Sequence, residues 1–83
     1  MKTLNETVDL MLSDRWEDRL VAEYWQTKIR YDALHKELVK SDAGVTELTP
    51  KEHYHMRTQE SLMDQYLYQI EIRAALAGIN LDV

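Results

Sequence analysis

Two sets of side chains in this sequence have the chemistry to hold a flat, negatively charged ligand. Along AEYWQTKIRY, Tyr24, Lys28 and Tyr31 follow one another at intervals of four and three. A helix would place them on adjoining parts of one surface, with Trp25 at its margin. Further on, Gln59, Tyr66 and Arg73 recur every seventh residue, and two helical turns return them nearly to the same edge. Rings beside a cation suit stacking on a nucleobase and pairing with a phosphate. The candidate ligand-binding residues are therefore Tyr24, Trp25, Lys28, Tyr31, Tyr66 and Arg73. A structural reading stands beside this one: the tyrosines border a core, and Arg73 and Gln59 bridge to acids such as Glu23 across a helix pair. Arg73 separates the two, because a long cation at the edge of an apolar stripe is either capped by a carboxylate or open to an anion.

Other chemistry finds little support. In KEHYHMR, His53 and His55 lie two apart, so on a helix they point about 200° apart and cannot share one ion, unlike histidines four apart. They read as a solvated helix start, and His35, between Asp32 and Lys36, reads as a boundary residue. Ser13, Ser41 and Ser61 have no histidine and acid arranged locally, and there is no glycine-rich phosphate loop or nucleophile elbow. With no cysteine, a thiolate metal site, a cysteine nucleophile and a disulfide are excluded. The expectation is a protein that is not an enzyme and uses no cofactor or metal.

The elements that must position these residues are helical. Two glycines, one proline and 30% charged residues favour long helices over a many-turned sheet. Residues 1–13 form a short arm: Thr3 and Glu6 have capping-box spacing, and Leu4, Val8, Met11 and Leu12 fall near one face. Residues 14–83 form a hairpin of helices at about 14–40 and 50–77. The first opens with a capping box at Asp14 and Glu17, and Trp16, Leu20, Tyr24, Thr27, Tyr31, Leu34 and Leu38 share a stripe. The second opens at Thr49-Pro50 with Glu52 closing a capping box, and ends at Gly78 with Ile79 as the apolar contact beyond it. Its stripe is Met56, Met63, Leu67, Ile70, Ala74 and Ala77, widened by Leu62 and Tyr66. Two helices of about 40 Å joined by a short connection fold back side by side.

Each long helix carries a second apolar set. Val21, Trp25 and Ile29 on one, and Tyr68, Ile72 and Leu76 on the other, project about 100° or more from the hairpin stripe. At about 25 cal/mol per Å² of apolar surface, leaving both wet would forgo several kcal/mol. The arm can cover one; copies of the chain meeting across a two-fold axis, or another protein, can cover the rest. These six are the candidate oligomer interface. The fold class expected is all-α, an antiparallel two-helix hairpin with a short N-terminal helix, packing into an oligomeric helical bundle.

A net charge of -5 opposes binding to a phosphate backbone, so nucleic acid is not an expected partner. No apolar run approaches the roughly 18 residues of a membrane span, and the N-terminus lacks a signal-peptide pattern, so a soluble intracellular protein with no membrane contact is expected. The blocks RLVAEYWQTKIRYDALHKEL and QESLMDQYLYQIEIRAALAGINL resemble a family of small tailed-phage and prophage accessory proteins labelled after an open reading frame of a crAss-like gut phage. The likeness rests on Arg19, Leu20, Glu23 and Tyr24; on Arg30, Tyr31 and Leu34; on Gln59, Met63, Tyr66 and Leu67; and on Arg73, Ala74, Gly78 and Ile79. It implies a phage origin and a place in the cytoplasm of an infected bacterial host. Small phage accessory proteins often counter host defence, which points to binding of a nucleotide second messenger by a homo-oligomeric sponge. The alternative is inhibition of a host defence protein, such as a CRISPR effector, with no small molecule involved. A component of phage development is a third reading.

Overall fold

A computed structural model describes residues 3–82, folded entirely into helices and connections. A single 3-10 turn, Asn5–Thr7, leads into the short helix α1, Val8–Met11. Two long helices follow, α2 over Trp16–Asp42 and α3 over Pro50–Ala77.

Local chemistry explains most of the boundaries. Thr3 accepts from the Glu6 amide at 3.3 Å and its hydroxyl donates to the Glu6 carboxylate at 3.2 Å, opening the 3-10 turn. Thr49 accepts from the Glu52 amide at 3.1 Å while Glu52 accepts from the Thr49 amide at 3.2 Å, the reciprocal box its spacing predicts. The box expected at Asp14 and Glu17 does not form. Arg15 stands at the N-cap with no side-chain cap. Ser13 organises the turn instead, accepting from the Arg15 amide at 3.1 Å and donating to Asp18 Oδ2 at 2.7 Å. A hydroxyl can donate and accept together, which a carboxylate cannot, so it ties both sides of the turn.

Both glycines end helices. Gly44 and Gly78 have φ of 77° and 69°, the left-handed region that costs other residues a Cβ clash. Beyond them the amides of Val45 and Ile79 return to the carbonyls of Lys40 and Ala74, each at 2.8 Å. This Schellman pattern carries α2 to Asp42, two residues past the expected end.

The long helices pack side by side in a body of 43 × 25 × 18 Å. Leu20, Ile70 and Ala74 form the central cluster, with Tyr24, Ile79 and Leu81 packed on it. Leu38 and Leu67 are also buried. The expected stripes hold through their middles and fail at their edges. Trp16, Leu62 and Tyr66 are exposed, because Trp16 is the first residue of α2 and the other two lie about 80–120° round α3 from the buried Ala74.

The arm docks on α2 and does not approach α3 among the described residues. Thr7 is buried, donates to the Leu4 carbonyl at 2.7 Å and accepts from Gln26 Nε2 at 3.0 Å. The two apolar sets fare differently. Val21 is buried within its own chain, and Trp25 and Ile29 are partly buried. On α3, Ile72 is partly buried, while Tyr68 and Leu76 remain 61% and 85% exposed. A radius of gyration of 14.9 Å, against about 12 Å for a compact chain of this length, reflects one flat layer of helices with a thin core.

Candidate functional site

Five of the six candidate ligand residues divide between opposite edges of the hairpin, and the sixth, Trp25, lies on neither. Tyr24, Lys28 and Tyr31 share one edge. Burial raises the Tyr24 hydroxyl above its ordinary range, with Glu71 adding to the effect; burial also raises that of Tyr31, helped by Asp64 and Glu60. Those neighbours place both tyrosines beside the acidic flank of α3. Arg73 is two residues from Glu71, and Tyr66 two from Asp64, so each lies about 160° round the helix on the far flank. The candidate set does not converge on one pocket within a single chain.

On the first edge the polar groups are largely committed. Lys28 pairs with Asp32 at 2.9 Å and sits 5.5 Å from the centre of the Tyr31 ring. The bond to Asp32 raises the Lys28 ammonium above its usual range. Tyr31 stacks on His35, centroids 6.0 Å apart and planes within 13°. His35 Nδ1 lies 2.6 Å from Glu60, whose other oxygen accepts from Arg57. Arg57 donates to Asp42 at 2.6 Å, and Asp42 also meets His53 Nε2 at 3.0 Å. These bonds from His53 and Arg57 hold the Asp42 carboxyl below the usual carboxylate range. A polar seam thus runs from the connection along α2 and α3, and carboxylates outnumber cations on it. It is poorly suited to a phosphate. The sequence reading left out Arg57, took His53 as part of a solvated helix start and took His35 as a boundary residue; the signal available was their offset from Glu60 and Asp42 across a folded-back pair.

Trp25 is set apart from both edges. Its ring meets Tyr24 edge-on at 5.4 Å, and its indole N–H donates to the Leu81 carbonyl at 2.6 Å. It clamps the C-terminal tail across α2.

The far edge is open. Tyr66 is 46% exposed, and Arg73 is exposed with no hydrogen bond, ion pair or ring contact among the described residues. The bridge from Arg73 to Glu23 is not made. Of the two readings of Arg73, the geometry leaves the one open to an anion.

Two clefts lie elsewhere. One, of about 530 Å³, opens between the arm, the start of α2 and the end of α3, with Leu10, Arg15, Val21 and Ile79 among its walls. The other, of about 470 Å³, is a shallow groove on the outer face of α3 bounded by Tyr54, Thr58, Ser61 and Leu62. Among the described residues no cluster of three or more His, Cys, Asp or Glu side chains could hold a metal, and no helix is long and apolar enough to cross a membrane.

A family model described as Sequestin matches residues 14–76, the hairpin from the start of α2 almost to the end of α3. The chain belongs to the Sequestin family. The matched span leaves the arm outside and includes Tyr66, Arg73 and the polar seam. Neither the curated proteins nor the solved structures contain a match to this chain.

Proposed function

We propose that this member of the Sequestin family is a phage accessory protein that acts by binding rather than by catalysis, sequestering a nucleotide-derived immune signal in the cytoplasm of an infected bacterium. The observation that supports the binding part is the family match across the hairpin, whose name, Sequestin, suggests a sequestering role. The nucleotide part is supported by the open pair of Tyr66 and Arg73: a ring for a base, and a guanidinium with no partner among the described residues for a phosphate. Self-association into a homo-oligomer belongs to the same proposal, supported by the uncovered Tyr68 and Leu76 on α3.

A second reading, inhibition of a host defence protein such as a CRISPR effector, is favoured by the carboxylates of Asp64 and Glu71, which flank the same apolar outer face of α3 on one side. A thermal-shift screen against cyclic dinucleotides and cyclic ADP-ribose isomers separates the two. A ligand at 100 times its Kd stabilises by about 2.7 kcal/mol, a rise of roughly 10–20 °C for a domain this size. Arg73→Ala and Tyr66→Ala should abolish the rise while leaving the helical signal intact, since neither side chain is in the core. No shift with any messenger, together with a host polypeptide that co-purifies, would replace the first reading with the second.

A further inference from the structure

The outer face of α3 has three features that belong together. First, it carries no charge. From Tyr54 to Leu76 no Asp, Glu, Lys or Arg falls within about 60° of the line through Gln65, in a chain where 30% of residues are charged. Second, it is wet: Tyr54, Leu62, Tyr68 and Leu76 are 66%, 60%, 61% and 85% exposed. Third, the chain as a whole exposes 5926 Å², whereas a folded monomer of 9.8 kDa exposes about 5,200 Å² by size scaling. The surplus is close to the ~800 Å² that each partner contributes to an ordinary stable interface.

The two ends of this face differ in shape: a groove lies at Tyr54, Thr58, Ser61 and Leu62, and an apolar ridge at Ile72 and Leu76. About Gln65 the side chains are arranged in mirrored pairs: Leu62 with Tyr68 three residues either way, Thr58 with Ile72 seven away, and Tyr54 with Leu76 eleven away. We propose that the outer face of α3 is a self-complementary interface on which a second copy of this chain docks antiparallel, its two-fold axis passing beside Gln65. The inference rests on the self-association reading above and adds the face, the direction and the partner contacts. In this pairing Leu76 and Ile72 of one copy come level with Tyr54 and Thr58 of the other. The groove bounded by Tyr54, Thr58, Ser61 and Leu62, with His53 and Arg57 along its seam side, receives the partner's apolar ridge, as knobs fill holes in packed helices. Parallel pairing would set groove on groove and ridge on ridge.

The pairing also completes the open edge. A two-fold axis across two antiparallel helices keeps like edges on the same side. Tyr66, one residue from the axis, then lies beside the partner's Tyr66, with an Arg73 about 12 Å to either side at 1.5 Å per residue. One chain supplies half of this rim.

The absence of cysteine makes the test clean. Light scattering at micromolar concentration should give at least twice 9.8 kDa, and Tyr68→Glu with Leu76→Lys should reduce it to the single-chain mass with helical circular dichroism unchanged. Under mild oxidation, Gln65→Cys should cross-link to itself, and Tyr54→Cys should cross-link when mixed with Leu76→Cys but not alone. A monomeric wild-type chain overturns self-association and this interface with it. An oligomer that survives the double substitution, or a Tyr54→Cys chain that cross-links to itself, overturns the antiparallel α3 pairing while leaving self-association standing.

Discussion

Replacing Gly78 by alanine isolates one backbone conformation. Gly78 ends α3 at φ 69°, and a Cβ placed there meets no atom within 4 Å, so the substitution adds no collision with the rest of the fold. What remains is the intrinsic strain of a left-handed alanine, about 1–2 kcal/mol. Part of this is offset because alanine also narrows the unfolded ensemble, by roughly 0.4–1 kcal/mol. A net loss of about 1 kcal/mol follows if the native turn is kept, a Tm lower by roughly 4–8 °C for a domain this size. Abandoning the turn costs more. Ile79 would lose its bond to the Ala74 carbonyl, Ile79 and Leu81 would leave the Leu20, Ile70 and Ala74 cluster, and Trp25 would lose the Leu81 carbonyl. The turn should therefore be kept under strain. Urea denaturation followed by circular dichroism gives the free energy, and the indole N–H resonance of Trp25 shows whether the tail stays in place. Gly78→Asn should cost less than Gly78→Ala, since asparagine tolerates this region. A Gly78→Ala chain as stable as the parent would refute the argument, because no contact can be invoked to hide the strain.

Three further outcomes follow from packing, capping and charge. Ile70→Ala, at a position 1% exposed in the central cluster, should cost about 2–4 kcal/mol in urea denaturation, a large share of the roughly 4–12 kcal/mol available to a chain this short. Thr49→Ala removes one half of the capping box on α3 and should cost about 1 kcal/mol; a loss below 0.3 kcal/mol would mean that the cap does not hold the helix start. Asp42 is held below the ordinary carboxylate range by His53 and Arg57, so its contribution to stability is present above the ordinary carboxylate pKa near 4 and is lost as pH falls through the lowered value. Asp42→Asn should flatten the stability profile in that acid range, and because the cluster is exposed the difference from wild type should shrink in 1 M salt.

Some of this protein is written locally. The start of α3 follows from Thr49, Pro50 and Glu52, and the ends of both long helices follow from two glycines that alone take the left-handed turn cheaply. The stripe through Leu20, Leu38, Leu67, Ile70 and Ala74 follows from a 3.6-residue period. These depend only on neighbours within a few residues, so sequence contains their causes. The start of α2 was less legible, because Ser13, Asp14 and Asp18 all compete for the same turn and their order is decided by geometry. Tertiary structure alone decided which flank of α3 faces which flank of α2. Projection places Arg73 opposite Glu71, yet nothing in one helix says that Tyr24 and Tyr31 will lie on the Glu71 side. That choice splits the candidate site between two edges and leaves Arg73 without a partner among the described residues. Likewise, the arm was free to cover either apolar set, and its docking through Thr7 and Gln26 on α2 is what leaves the outer face of α3 bare. Period and capping are properties of one helix; handedness of packing and coverage are properties of several, and they exist only once the chain has folded back on itself.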